Sequence, residues 1–551
     1  MKRTMFLASH DSSRAAPRPR RRLPAVIGVA VAFLCSCGGG AGDDAPGGER
    51  PPAVLITGAR VLDGSGGEGV TADVGIEDGR IAFVGEPTEG QFAAPDTLRA
   101  DGLVLAPGFI DMHSHVDLEA EYGRPATEFI TQGITTAVIG VDGGGTPDLA
   151  ELYAGFEATG IGLNVLSYVG HGEIRSRVLG MDDRAPAPEE LDRMRALVRK
   201  GMEEGAFGLS TGLFYTPGYY ATPGEVIELG RVAGEYGAIY DTHDRDLGAA
   251  YRGIGYLNSI REAIGIGAAS GLRVIFSHFN AQGAANYGRA VEGAVLVDSA
   301  RARGVEVAGA QHVYTATMSS LRAYTVPRWA QAGGREQMIR RFRDPDTARV
   351  LDVQTMEMLA IRGGPEKILF ADPRPGLNGK TLAEVAVERG DPVPRTVRDI
   401  LAEGNAWVMN LDLYDIENTR YLATMPWMMT CTDGGTPEPG AEITHPRAYG
   451  AFPRKIRRFV REDSILTLPF AVRSMTGLAA DFLRLPDRGY IRPGMVADIV
   501  VFDPERFTDR ATYEDPHRTS EGVVHLFIDG RFSIRDGATT GALPGTPIRR
   551  P

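Results

Sequence analysis

The stretch Ala106-Pro107-Gly108-Phe109-Ile110-Asp111-Met112-His113-Ser114-His115 decides how the chain is interpreted. In a β-strand, successive side chains alternate between faces, so His113 and His115 point the same way and Ser114 points the opposite way. Two imidazoles on one face can supply two nitrogen ligands to a single cation. The motif is short, and two histidines on a solvated strand end would look the same. The interpretation of this motif as a metal site is supported by other apolar runs of the chain that also end in His or Asp.

Composition limits the classes of protein that the chain can be. Its 551 residues are enough for one large domain with accessory segments. The net charge of −12 argues against nucleic acid and anionic membrane surfaces as partners. Three cysteines, Cys35, Cys37 and Cys431, exclude both a disulfide framework and a Cys-rich zinc module. Any transition metal must therefore be held by histidines and carboxylates.

The N-terminus has the pattern of an export signal. Basic residues through Arg22 precede the apolar run 23–34, which is too short to span a bilayer stably but suits a signal peptide. Leu34-Cys35-Ser36-Cys37 resembles a bacterial lipobox, which would make Cys37 the lipidated first residue; an ordinary secretory signal is the alternative. We expect a signal peptide at 1–36, a flexible tether at 37–52, and a lipid-anchored protein of the bacterial cell envelope, in the periplasm or on the outer surface.

Short β runs with turn residues between them occur near both ends of the chain. They lie at 54–56, 74–76 and 81–84, and again at 497–502 and 523–528. These runs predict a small β-sandwich domain formed from N- and C-terminal segments, 53–106 and 483–551.

The middle of the chain alternates strand-like and helix-like segments, which is typical of βα units. The strand-like runs lie at 109–113, 134–140, 163–169, 206–210, 238–242, 273–277, 305–309 and 427–432. Eight such runs predict an α/β protein with a (β/α)8 TIM-type barrel over 107–482. A long insertion at about 315–425, with helix-like segments at 335–341, 347–359 and 382–388, is expected to be a lid or a substrate-facing element.

The residues that end these runs form a candidate site, because chemistry in such barrels sits at the carboxyl ends of the strands. The first run ends at His113 and His115, the fifth at His243, the sixth at His278 and the eighth at Asp433. Four histidines and one aspartate would then converge from separate strands. They suit one or two divalent metals with a position left open for water.

An ordered series of motifs resembles the amidohydrolase superfamily, and more narrowly the N-acyl-D-amino-acid deacylase (D-aminoacylase) family. It covers everything after about the first fifty residues. The motifs are Gly108-Phe109-Ile110-Asp111-x-His113-x-His115, Gly170-His171, Ser210-Thr211-Gly212-Leu213-x-Tyr215, Thr242-His243-x-Arg245, Ser277-His278, Tyr314-Thr315-Ala316, Thr432-Asp433-Gly434 and His445-Pro446-Arg447.

The resemblance implies a metal centre, with zinc as the expected ion. His113 and His115 would hold one metal together with Asp433, and His243 and His278 would hold the other. Where the family has a metal-binding cysteine after the second strand, this chain has Asp142. Asp142 would be a harder ligand, or else a turn residue in a Gly-rich loop.

The resemblance also indicates which residues bind substrate. The family carries a lysine that helps to hold the substrate carboxylate, and this chain has Asn280 in its place. Tyr314 and Arg447 remain as carboxylate partners, since Tyr offers one donor and Arg a bidentate fork. His171 is expected to be a pocket residue.

The function that follows is metal-dependent hydrolysis of a C–N amide bond in a small molecule. N-acyl-D-amino acids or dipeptides containing a D-residue are the favoured substrates. Asp433 would take a proton from water and deliver it to the leaving amine. Two alternatives stay open at this point: a cyclic-amide (dihydroorotase- or hydantoinase-like) or lactone hydrolase, and a surface lipoprotein that binds a ligand without turnover.

Overall fold

Parallel strands with intervening helices form the centre of the chain in a computed structural model that describes residues 53–86, 92 and 94–550. The predicted signal peptide, the tether and Cys37 lie outside the described residues. Within that described part, no helix is both long enough and apolar enough to cross a membrane.

All eight predicted strands of the central region are present, the third as two short segments, Asn164–Ser167 and Val169–Gly170, and they run parallel in two sheets. Phe109–Asp111, Ile134–Ile139 and Asn164–Ser167 pair in that order in a three-stranded sheet. The second sheet has six strands, in the order Val169–Gly170, Gly208–Gly212, Ile239–His243, Arg273–Phe276, Val307–Gln311 and Met428–Thr430. Strands such as Ile239–His243 are buried along their whole length, as parallel strands covered on both faces are.

Backbone hydrogen bonds join the two sheets at both edges. At one edge Phe207 N donates to Ser167 O at 3.0 Å, and at the other Met112 N donates to Thr430 O at 3.3 Å. The ladder itself stops at these places. The strand pairing therefore establishes the α/β class, and closure into one eight-stranded barrel stays a prediction.

Helices connect the parallel strands and follow the last of them. Before the insertion they are Thr127–Ile130, Leu149–Thr159, His171–Leu179, Pro188–Glu203, Pro223–Gly234, Tyr256–Ser270 and Ala290–Ala302. After the eighth strand come Arg447–Lys455, Leu468–Met475 and Gly477–Leu483. Their starts follow ordinary capping chemistry: Thr222 accepts the backbone N–H of Glu225 at 3.3 Å, and Pro223 occupies the first helical position.

The insertion between the seventh and eighth parallel strands has a core of its own, which includes Leu321, Leu359 and Val408. The three predicted helices are confirmed as Gly334–Arg343, Pro345–Ile361 and Leu382–Arg389. Four further helices are Leu321–Thr325, Arg328–Gln331, Val393–Glu403 and Ile416–Ala423. The sequence did not indicate its small antiparallel sheet, formed by Thr317–Ser320, Trp407–Asn410 and Ile368–Phe370.

Strands from the two ends of the chain pair with each other in one nine-stranded sheet. From one edge to the other these are Ala538–Thr539, Arg531–Arg535, Val523–Ile528, Ile499–Phe502, Val104–Pro107, Val54–Val61, Val70–Glu77 and Arg80–Val84, with Asp96–Arg99 also paired to Val54–Val61. The hydrogen bonds thus form a single sheet among the described residues, where the sequence had suggested the two sheets of a sandwich. The difference arises because strands from both termini meet edge to edge, Val500 opposite Ala106.

The nine-stranded sheet buries both faces of its middle strands. Alternate residues belong to different cores: Val104 and Val500 pack with the residues of the parallel strands, whereas Leu105 and Val501 pack in a core within the terminal segments. This alternation follows from the two-residue period of a strand.

A buried ion pair fastens the terminal sheet to the third parallel strand. Arg488, whose side chain is 11% exposed, is paired through Nη1 with Asp498 and through Nη2 with Asp529 at 3.0 Å. Asn164, the first residue of that strand, donates to Asp498 at 3.1 Å. The buried carboxylate of Asp498 thus has partners both in the third parallel strand (Asn164) and in the terminal segment (Arg488).

Removing Arg488 should therefore weaken the whole fold. We expect Arg488→Met to lower the free energy of unfolding by about 3–5 kcal/mol, because it leaves two carboxylates without their cation. Urea unfolding followed by fluorescence measures the change. The matched control is Arg518→Met, whose pair with Asp515 is exposed (49% and 62%) and contributes about 0–1 kcal/mol. Equal losses in the two variants would contradict the prediction.

Candidate metal centre

Six side chains at the carboxyl ends of five parallel strands meet in one place. His113 and His115 follow the first strand, Asp142 the second, His278 the sixth and Asp433 the eighth, while His243 is the last residue of the fifth. Backbone hydrogen bonds hold the first and eighth strand ends together: Asp433 N donates to His113 O at 2.9 Å, and His115 N donates to Gly434 O at 2.8 Å. The structure thus brings together every residue that the sequence predicted as a metal ligand.

Three of these residues have a left-handed backbone. The φ angles of Asp142, His278 and Asp433 are 55°, 34° and 50°. A residue with a Cβ adopts this region at a cost of about 1–3 kcal/mol, so such residues cluster where function fixes the geometry. Here each one turns the chain sharply after a strand, and its side chain is directed to the shared centre.

The glycines around Asp142 explain how its loop can pack so closely. A Cβ on Gly140 would lie 2.4 Å from the carbonyl oxygen of Tyr168, and one on Gly145 would lie 2.0 Å from the same atom. Only glycine fits at these two positions. They press the loop against the third strand, with the Asp142 carboxylate facing the histidines.

Asp142 lies nearest the middle of the group. Its Oδ1 is 3.6 Å from His113 Nε2, 3.6 Å from His243 Nδ1 and 3.9 Å from His278 Nε2, and its Oδ2 is 3.6 Å from His115 Nε2. Asp433 Oδ1 is 3.6 Å from His113 Nε2 and 3.4 Å from His115 Nε2. Three overlapping triads have all their ligand atoms within 4.8 Å of one another: His113/His278/Asp433, His113/His115/Asp142 and Asp142/His243/His278.

These atoms fit a divalent cation better than they fit one another. His113 Nε2, His243 Nδ1 and Asp142 Oδ1 are buried and have no hydrogen-bond partner. Their separations of 3.6 Å exceed hydrogen-bond length. Two ligands bound to one ion at about 2.0–2.2 Å in tetrahedral geometry are about 3.3–3.6 Å apart. The residues present are therefore suited to hold one or two ions.

Protonation states also suit metal binding. Burial lowers the pKa of His113 to about 3, although Asp142 and Asp433 partly oppose this, and burial lowers the pKa of His278 to about 4. Burial alone would raise the pKa of Asp142, but His113 and His243 bring it well below its usual range. At neutral pH His113 and His278 are therefore neutral and Asp142 is charged, which is the form in which each binds a metal.

Arg447 engages the other oxygen of Asp433. Its Nη1 donates to Asp433 Oδ2 and lies 3.3 Å from His312 Nε2. Burial would raise the pKa of Asp433, yet the charge of Arg447 holds it well below its usual range. Asp433 is therefore an ionised carboxylate with one oxygen toward the histidines and the other fixed by a cation.

His312 is a site residue that the sequence analysis missed. Its Nε2 lies 3.7 Å from Asp433 Oδ2, and its Nδ1 accepts the backbone N–H of Tyr314 at 3.3 Å. It directly follows the seventh strand, Val307–Gln311. The signal was available, because a strand extended by two residues beyond the predicted 305–309 would have ended at a histidine.

Two predicted substrate-binding residues use their polar groups within the protein. Tyr314 is buried and its hydroxyl donates to the carbonyl oxygen of Pro446 at 3.3 Å. Asn280 donates through Nδ2 to Thr419 at 2.9 Å and accepts the N–H of Ala281 at 2.8 Å. Of the predicted carboxylate partners, Arg447 alone contacts a metal-ligand candidate.

His171 belongs to a different buried group. Its Nε2 is 2.9 Å from Glu225 Oε1, and Arg175 Nη1 donates to the same oxygen at 2.7 Å. It is not a member of the three ligand triads found among the described residues. We therefore describe it as a buried residue paired with a carboxylate, and its predicted role in the substrate pocket stays a prediction.

Comparison with known proteins gives matches along most of the chain. The sequence profile of the Amidohydrolase family matches residues 96–534. A D-aminoacylase of Alcaligenes xylosoxydans xylosoxydans is 32% identical over 524 residues, covering 91% of this chain and 98% of that protein. A D-aminoacylase structure with a binuclear metal center has a TM-score of 0.76 at 28% identity, covering 91% of this chain and all of its own. The N-acyl-D-glutamate deacylase of Bordetella bronchiseptica, solved with zinc and a phosphonate inhibitor that mimics the tetrahedral intermediate, has a TM-score of 0.75 at 29% identity and the same coverage.

Asp142 is the position that tests the metal centre most directly. We expect Asp142→Asn, which keeps the left-handed turn and one oxygen but loses the charge, to weaken metal binding at least about tenfold. Asp142→Cys should shift preference toward zinc, because a thiolate is softer than a carboxylate. Metal titration with elemental analysis measures both.

The control for this prediction is Asp412→Asn. Asp412 has a similar φ of 54°, but its side chain is 67% exposed and pairs with Lys367. Unchanged metal affinity in both Asp142 variants would make Asp142 a turn residue only.

Proposed function

We propose that this chain, which belongs to the amidohydrolase family, hydrolyses the amide bond of N-acyl-D-amino acids or of dipeptides that contain a D-residue. The observation that carries the proposal is the set of six convergent ligands, in a chain that aligns with a D-aminoacylase over 98% of that protein's length. A protein that only binds a ligand would not need this group of unpaired metal-binding atoms beside a fixed carboxylate. The cyclic-amide alternative has weaker support, because the matching hydantoinase and dihydropyrimidinase structures are only 14–16% identical to this chain.

Zinc is the ion that we propose for the centre, because four of the six candidate ligands are imidazoles. His113, His115, His243, His278, Asp142 and Asp433 would hold one or two ions. When bound there, a divalent ion supplies a water of lowered pKa and polarises the amide carbonyl. The zinc-bound relative from Bordetella bronchiseptica supports this choice.

Asp433 is the residue that we propose to move the proton. It is ionised at neutral pH, so it can take a proton from the attacking water and deliver it to the leaving amine. Arg447 fixes one of its oxygens, so the carboxylate keeps its orientation while the proton is held.

The fold that we propose for the central region is the closed (β/α)8 barrel. Backbone hydrogen bonds at both junctions between the three-stranded and six-stranded sheets support closure. The convergence of side chains from five strand ends supports it as well, because the carboxyl ends of barrel strands surround one common site.

The activity proposal can be tested with a panel of substrates. We expect the zinc-loaded enzyme to hydrolyse N-acyl-D-amino acids at least about tenfold faster than N-acyl-L-amino acids, and chelation to abolish turnover. Asp433→Asn, which suits the same backbone, should lower kcat at least about a hundredfold through loss of the base. Stopped assays of amine release measure each rate.

Asp412→Asn again serves as the control and should retain full activity. Preferred hydrolysis of L-substrates or of cyclic amides would contradict the substrate assignment. Near-normal turnover by a metal-loaded Asp433→Asn variant would contradict the assignment of the base.

We also propose that the protein is exported and lipid-anchored through Cys37, on the basis of the lipobox-like sequence alone. Cys37→Ser should release the protein from membranes, because a lipoprotein cysteine carrying two or more acyl chains anchors stably and serine is not lipidated in this way. Fractionation of bacteria that express each form measures the distribution. Retention of the variant in the membrane fraction would contradict the proposal.

A further inference from the structure

The longest helix of the insertion, Pro345–Ile361, has one buried side and one exposed apolar side. Leu351 and Leu359 on the buried side pack in the core of the insertion. The opposite side exposes four apolar side chains by 38–60%, and we call them the apolar stripe: Val350, Val353, Met356 and Ile361. Single exposed apolar residues are ordinary, whereas a contiguous patch of them marks an interaction site.

The apolar stripe is contiguous because its members follow the helical repeat. Residues three or four positions apart are neighbours on one side of a helix, so Val353 has Val350 on one side and Met356 on the other. Trp329 widens the patch: its Nε1 donates to Gln354 at 2.9 Å, and its ring is itself 41% exposed. An exposed tryptophan beside aliphatic side chains is typical of the centre of a protein–protein interface.

Two residues of opposite charge flank Val353 at equal distances along the helix. Arg349 lies four residues before it and Glu357 four residues after it. Arg349 pairs at the surface with Asp346, and Glu357 accepts the hydroxyl of Tyr251 in another exposed contact. Because both contacts are exposed, the two charged side chains can also reach a neighbouring molecule.

This charge pattern is self-complementary when two copies of the helix pack antiparallel about a two-fold axis near Val353. Arg349 of each copy then lies level with Glu357 of the other, and the two Val353 side chains meet at the axis. A two-fold interface uses the same patch on both copies, which requires such self-complementarity. Parallel packing would instead place arginine beside arginine, which is unfavourable.

The charges on this side of the helix argue against a membrane as the occupant of the apolar stripe. They are one cation, Arg349, and two carboxylates, Asp346 and Glu357. Helices that bind anionic lipid surfaces carry Lys and Arg on the polar face beside their apolar residues. A second copy of the chain satisfies both the apolar side chains and the charges.

We propose that the apolar stripe is the contact surface of a homodimer, in which the helices Pro345–Ile361 of two copies pack antiparallel about a two-fold axis near Val353. The contact buries the stripe and forms two ion pairs, each between Arg349 of one copy and Glu357 of the other. The dimer thereby joins the insertions of two copies. The inference is independent of the proposed reaction, since it rests on residues outside the metal centre.

A cysteine at the two-fold axis provides the first test. We expect the purified full chain with Val353→Cys to form a disulfide-linked dimer on mild oxidation, because equivalent residues at the axis come within disulfide range of each other. The matched control is Val387→Cys, since Val387 is 81% exposed on another helix of the insertion, Leu382–Arg389. Non-reducing gel electrophoresis measures the linked fraction, and the wild-type chain shows what the natural cysteines contribute. Equal linking in the two variants, or none in Val353→Cys, would overturn the proposal.

Charge reversal tests the pairing between the copies. We expect Arg349→Glu to weaken dimerisation at least about tenfold, because like charges then face each other, and the double variant Arg349→Glu/Glu357→Arg to restore it. Arg340→Glu, at an exposed arginine of the helix Gly334–Arg343, is the control and should leave the dissociation constant unchanged. Sedimentation equilibrium at low salt measures this constant for each full chain. A monomeric wild-type chain would leave the apolar stripe to a different protein, and it would overturn the proposal, as would a double variant that associates no better than Arg349→Glu.

Discussion

Lone pairs of imidazoles and carboxylates face one another around Asp142 and Asp433, at separations of 3.4–3.9 Å. Without a cation this arrangement is unfavourable, because buried acceptors lack donors and two negative charges lie close together. Other features of the site hold these acceptors in position. The strand ends turn through left-handed residues, the glycine loop packs against the third strand, and Arg447 balances one oxygen of Asp433. Binding of an ion is thus linked to the stability of the strand ends.

At Asp142 and Asn280 this chain differs from the pattern that its resemblance to the family implies. At Asp142 the resemblance to the family implies a thiolate, whereas this chain has a carboxylate, which has the same charge but admits harder ions. At Asn280 the resemblance implies a lysine, whereas here the amide joins the end of the sixth strand to Thr419 of the insertion. The cation that contacts Asp433 is Arg447.

The sequence was sufficient to predict the central strands and to identify the candidate ligands that the structure brings together, because both depend on local sequence signals. An apolar run followed by His or Asp identifies a strand and the residue at its carboxyl end. His312 was missed because the end of the seventh strand was placed two residues early, and strand ends are the least certain part of such predictions. The antiparallel sheet of the insertion joins residues far apart in sequence, such as Thr317 and Asn410.

The pairing of the two chain ends in one sheet has a consequence for how the protein is made. The strand Val104–Pro107 is flanked by Val54–Val61 on one side and by Ile499–Phe502 on the other. Near the end of the chain, Ile548 donates its N–H to Val165 O at 2.7 Å. During synthesis, Val104–Pro107 therefore lacks one of its two neighbours until Ile499–Phe502 has been made. Such long-range pairing slows folding, so the two halves of this sheet join only late in synthesis.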